Sequence, residues 1–88
     1  MKIRITNDFK HLCERIYAME RTEKDWAKDT GEDFLFSDSF EGRFDPNSNS
    51  FCFTYFAPNL NEYEFRINLN EIKEILDGKI THVEGKKV

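Results

Sequence analysis

"SFEGRFDPNSNSFCFTYFAPNLNEYEFRINL", residues 39 to 69, holds three runs of strand length separated by two polar tetrapeptides, "PNSN" and "PNLN". These tetrapeptides carry both prolines of the chain. Pro presets φ for a turn and Asn hydrogen-bonds its own backbone there, so both read as hairpin connections. In the third run Tyr63, Phe65, Ile67 and Leu69 share one face while Glu62, Glu64, Arg66 and Asn68 share the other, the period-2 pattern of a strand with one wet side. In the second, Phe51, Phe53 and Tyr55 alternate with Cys52, Thr54 and Phe56. A run apolar on both faces is expected at the centre of a sheet, covered on both sides or neighboured by other apolar groups. The first run turns Phe40 and Phe44 one way and Glu41, Arg43 and Asp45 the other, with Gly42 as a candidate bulge.

Outward from this block the periodicity changes. Upstream, "KIRI" at 2 to 5 suits a short strand, and Thr6, Asn7 and Asp8 are candidate helix caps. Phe9, Leu12, Cys13, Ile16 and Met19 recur at three and four, and the stripe reaches Trp26, which predicts one helix over 8 to 28 closed by Gly31. Downstream, "NLNEIKEILDG" places Leu69, Ile72, Ile75 and Leu76 on one helical face, with Asn70 as cap and Gly78 as stop. "KITHV" at 79 to 83 is expected to return as a last strand before a solvated tail, "EGKKV". The expectation is an α+β fold in β-α-β-β-β-α-β order. Two helices pack on one face of a mainly antiparallel sheet, in a single domain over residues 1 to 88.

Composition excludes several functions. The chain has 13 Lys plus Arg against 17 Asp plus Glu, a formal charge of −4, whereas binding a phosphate backbone calls for a basic footprint. No direct nucleic-acid partner is expected. Nine Phe, three Tyr and one Trp supply too much bulky apolar surface for a disordered chain. The opening "MKIRITNDF" has neither the apolar run nor the cleavage site of a secretory signal, and no segment approaches the ~20 apolar residues of a membrane span. The expected compartment is the cytoplasm. There, Cys13 and Cys52 should be reduced, buried thiols, and neither belongs to a C-x-x-C pair.

Tests for chemistry fail one by one. Asp45, Asn47 and Asn49 have the 1, 3, 5 spacing of a calcium loop, but Ser50 stands where Gly is needed and Phe56 where the bidentate Glu is needed. His11 and Cys13 point to different helix faces, and no third group orients a base. Carboxylate pairs such as Glu32 with Asp33 or Glu62 with Glu64 do acid–base work only when desolvated. Gly31, Gly42, Gly78 and Gly85 are scattered singly and build no phosphate loop. Neither enzyme activity, metal nor cofactor is expected. Phe51, Phe53 and Tyr55 could stack single-stranded bases, but the neighbouring Glu41, Asp45, Glu62 and Glu64 oppose a nucleic acid, so these rings are assigned to the core.

One segment keeps an unexplained character. Residues 29 to 45 hold Asp29, Glu32, Asp33, Asp38, Glu41 and Asp45 against Arg43 alone, a local charge of −5, with Phe34, Leu35 and Phe36 embedded among them. Acids around aromatics suit docking on a basic surface: charge sets encounter and orientation, and aromatics serve as anchors. The expected partner-binding residues are Glu32, Asp33, Phe36, Asp38, Phe40, Glu41 and Asp45, with Phe36 and Phe40 as the anchors. Small size and acidity are the physical profile of proteins that occlude nucleic-acid-handling sites, of the toxin-immunity or phage anti-defence (anti-CRISPR-like) kind. The alternative is a small-molecule-sensing or sequestering domain with a pocket between sheet and helices, conceivable as a homodimer built by edge-strand pairing.

Overall fold

A computed structural model describes residues 1 to 28 and 35 to 88. The expectations for Asp29, Gly31, Glu32, Asp33 and Phe34 fall outside those residues. In chain order the elements are β1 (Lys2–Arg4), α1 (Asn7–Ala18), α2 (Glu23–Lys28), β2 (Leu35–Phe36), β3 (Phe40–Asp45), β4 (Ser50–Phe56), β5 (Glu62–Ile67), α3 (Leu69–Leu76), β6 (His82–Glu84) and β7 (Lys86–Lys87). The fold is α+β. A five-stranded antiparallel sheet runs β2-β3-β4-β5-β7, and β1 pairs with β6 in a small second sheet.

β4 is central, as its apolar content requires. Phe51 and Phe53 lie on the inner face with no exposed surface, beneath Phe9, Leu12, Cys13 and Ile16 of α1 and Ile72 and Ile75 of α3. Its opposite face is covered only in part: Ser50 and Cys52 are buried there, Thr54 is half-buried and Phe56 is exposed. Gly42 is not a bulge. Pairing runs without interruption from Phe40↔Tyr55 to Asp45↔Ser50, and the residue is glycine because a Cβ at 42 would overlap the ring of Phe53.

The single long helix is two. Glu20 takes a left-handed φ of 50°, and Thr22 and Asp25 then exchange backbone-to-side-chain hydrogen bonds of 3.0 and 3.2 Å, which start α2 afresh. The break carries Trp26 over the far end of the sheet, 5.0 Å edge-on to Phe51 and 6.4 Å from Phe44 between centroids, with the Arg21 guanidinium 5.0 Å from its ring. α3 is capped by Asn68, not Asn70. Asn68 accepts from the Glu71 amide at 2.9 Å and Glu71 accepts from the Asn68 amide at 3.0 Å, a reciprocal capping box.

The tail read as solvated instead joins both sheets. β6 pairs with β1, and after Gly85 the chain continues as β7 against β5, with Val88 N donating to the Glu62 carbonyl at 2.9 Å. Gly85 makes the crossing because a Cβ there would press on Ile3 Cδ1 at 2.6 Å. Among the described residues both edges of the large sheet are two residues long. β7 is Lys86–Lys87, and on β2 the Phe36 carbonyl is taken by Arg15 Nη2 at 2.7 Å. Short, charged or blocked edges discourage pairing with another chain.

Candidate functional site

Helices cover one face of the sheet, so exposed chemistry concentrates on the other. Side-chain alternation there forms rows across the strands: Phe36, Glu41, Thr54, Glu64 and Lys86 stand in one register line, and Arg43, Cys52 and Arg66 in the next. A hollow of about 230 Å³ between them is lined by Glu41, Gly42, Arg43, Cys52, Thr54 and Glu64. The face is therefore mixed in charge along its middle and acidic toward one end.

The expected docking residues separate into three groups. Phe40 is overturned as an anchor: it is 2% exposed and packs 4.7 Å from Phe9 and 5.0 Å from Tyr55 between centroids, because position 40 has the inward parity of Phe44. Asp45 is engaged within the fold. It accepts from Arg66 Nη1 at 2.7 Å, from the Asn47 amide at 3.0 Å and from Ser48 Oγ at 3.2 Å. Phe36, Asp38 and Glu41 remain on the surface. Phe36 is 60% exposed on the outer face beside Glu41, and Asp38 is exposed in the adjoining turn. Among the described residues neither carboxylate has a hydrogen-bond or ion-pair partner.

Phe56 belongs with them. It is 42% exposed, diagonal to Glu41 across Thr54 and opposite Glu62, and its amide donates to the Ser39 carbonyl at 2.9 Å beside the Asp38 turn. Its parity in the sequence was the signal: in a strand whose other face is core, the out-of-phase aromatic faces water.

The Asp45 carboxyl is held below the usual carboxylate range, first by the Arg66 hydrogen bond and then by the Asn47 amide. Asp25 is lowered in the same direction by Thr22. A depressed folded pKa contributes stability that is present above the unfolded value of about 4 and is lost as pH falls through the folded value. Asp45→Asn should therefore lower the urea midpoint at neutral pH and converge with the wild type in strong acid. Parallel midpoints down to about pH 2 would show that the pair carries no pH-linked stability.

Both thiols are shielded from nucleophilic chemistry. Cys13 is fully buried and its thiol is pushed up to about 12, by burial and then by Glu14. Cys52 is also raised, by burial first and then by donating to Glu64 Oε1 at 3.3 Å. Such thiols stay protonated and unreactive. His11 and His82 are exposed, on α1 and β6, facing Glu14 at 3.8 Å and Thr81 at 3.0 Å. No group of three or more potential metal ligands occurs among the described residues. No helix among them is long and apolar enough to cross a membrane. A chamber between sheet and helices is what a sequestering domain needs, but rings in contact occupy that space, Phe9 lying 5.0 Å from Phe53 and 5.5 Å from Phe65.

The chain matches no protein-family model, no curated protein and no solved structure. Function must then be argued from the site itself.

Proposed function

We propose that this is a non-enzymatic, acidic inhibitor protein. It docks on another protein through the aromatic, acid-rimmed end of its sheet and occludes a basic, nucleic-acid-handling site, as toxin-immunity and phage anti-defence (anti-CRISPR-like) proteins do. The observation that carries this reading is Phe36, 60% exposed on β2 beside the exposed Asp38 and Glu41, whose carboxylates have no partner among the described residues. Grouped with the exposed Phe56 at the same end of the sheet, Phe36 offers apolar surface that burial against a partner would use. The two carboxylates supply what a basic site ordinarily meets, the negative charge of phosphate. Glu32 and Asp33 extend the same acidic run in sequence. The partner is a protein with a basic surface, met in the cytoplasm, and neither nucleic acid nor a membrane is bound directly.

The test compares the wild type with Asp38→Lys/Glu41→Lys in affinity capture from host or infected-cell lysate, followed by titration of the identified partner. Reversal should weaken the complex about tenfold or more and flatten its dependence on salt, since charges at an interface act mainly through long-range, screened attraction. Equal affinity for both chains at low and at high salt would sink the reading. Competition with the partner's nucleic acid supplies the functional readout.

A further inference from the structure

The β3–β4 and β4–β5 connections each place one residue other than glycine in the left-handed region. In the first, the residue in the left-handed region is Asn49, with φ 55°; in the second it is Leu60, with φ 68°. Asn tolerates that conformation because its short polar side chain bonds locally, whereas the Cβ of leucine crowds its own carbonyl. The turn demands the conformation: Leu60 N donates to the Ala57 carbonyl at 3.1 Å and Ala57 N to the Asn61 carbonyl at 2.9 Å, closing the chain around Pro58 and Asn59. Leu60 is 93% exposed, so no packing within the fold offsets the strain. The turn needs the conformation but not a leucine in it, so the choice of an exposed apolar side chain at 60 points outside the chain.

Its position supplies the rest. The β4–β5 tip follows directly on Phe56, whose amide reaches the Ser39 carbonyl, so the tip and the Asp38 turn share one end of the sheet. Three exposed hydrophobes, Phe36, Phe56 and Leu60, stand there with Asp38, Glu41 and Glu62, whose carboxylates have no partner among the described residues.

We infer that Leu60 is an anchor of the docking surface and that its occupant is a protein patch in which an apolar socket is flanked by Lys or Arg. The inference rests on the function proposed above and extends that interface from the outer sheet face onto the hairpin tip. Carboxylates around the hydrophobes favour a cationic protein and repel anionic lipid headgroups, which rules against a membrane as the occupant.

Two measurements test it. Leu60→Asn places at 60 the residue type already used at 49 and should raise the thermal midpoint by about 3–6 °C. A fall in the midpoint would assign Leu60 to the fold and overturn the inference. Second, a benzophenone photo-crosslinker is placed at position 60, at position 36 and at position 47 in the opposite hairpin, in cells making the protein. Positions 60 and 36 should capture one protein through a segment rich in Lys or Arg, position 47 should not, and Asp38→Lys/Glu41→Lys should abolish both products. Capture at 36 but not at 60 overturns this inference and leaves the proposed function standing. Absence of a charge-dependent product at both positions overturns both.

Discussion

Phe9→Ala should remove about 4 kcal/mol of folding stability, the usual range for truncating a fully buried Phe being roughly 3–5 kcal/mol. Phe9 has no exposed surface and stands in the first turn of α1, where Thr6 Oγ1 accepts its amide at 3.4 Å. Its ring meets three others from the sheet: Phe40 at 4.7 Å, Phe53 at 5.0 Å and Phe65 at 5.5 Å between centroids. Truncation loses the transfer energy of the ring, leaves a cavity that surrounding rigid rings cannot fill, and removes three aromatic contacts together. A domain of 88 residues has a total stability of roughly 4–13 kcal/mol at the usual per-residue value, so this one change takes a third or more of it. The urea midpoint should fall by roughly 1.3–4 M at the slope usual for small proteins. Phe9→Leu, which keeps most of the volume, should lose less than half as much. If both variants lost under about 1 kcal/mol, Phe9 could not be the centre of the core, since such losses are typical of surface sites.

Strand parity, which turns Phe40, Phe53 and Phe65 toward Phe9, also made the sheet legible in the sequence. β3, β4 and β5 lie within a residue or two of their expected bounds because alternation is enforced at every residue of a sheet with one dry face. The helix break was missed because Trp26 continues the apolar stripe. The local signal against it was Thr22 followed three residues later by Asp25, whose mutual hydrogen bonds outweigh the continuity of the stripe. Asn68 with Glu71 was a second signal of the same kind. The tail was illegible for another reason. Lys86 and Lys87 have no strand propensity to recommend them and are placed by backbone pairing with Tyr63 and Glu64. In the site, Phe36 and Phe40 looked alike as aromatics among acids, and only the register separates them: Phe36 stands opposite Glu41 on the outer face, Phe40 opposite Tyr55 on the inner. Leu60 was absorbed into a turn, although a leucine among Pro and Asn was already out of place there.

Gly42→Val should destabilise the fold by about 3 kcal/mol, and Gly42→Ala by about 2 kcal/mol, values typical of overpacking a core. Strand propensity taken alone gives the opposite sign, because Ala and Val both outrank Gly in a strand interior by about 0.5–1 kcal/mol. What decides is the register line Leu35↔Gly42↔Phe53, on which a Cβ at 42 overlaps Cδ1 and Cε1 of the Phe53 ring. That ring has little freedom to yield: it is fully buried, stacked 5.6 Å from Phe65 and set edge-on to Phe9. A double-mutant cycle isolates the overlap. In a Phe53→Leu background Gly42→Ala should cost close to nothing, so the coupling between the two positions equals nearly the whole loss of the single variant. Additive losses would instead place the cost of Gly42→Ala in the backbone. The outcome bears on the site as well, since Gly42 lies between Glu41 and Arg43 on β3. A backbone displaced by the new side chain carries Glu41 with it, whereas repacking by a smaller residue at 53 leaves the outer face in register. Binding by the doubly substituted protein should thus match the wild type even where Gly42→Ala alone is impaired.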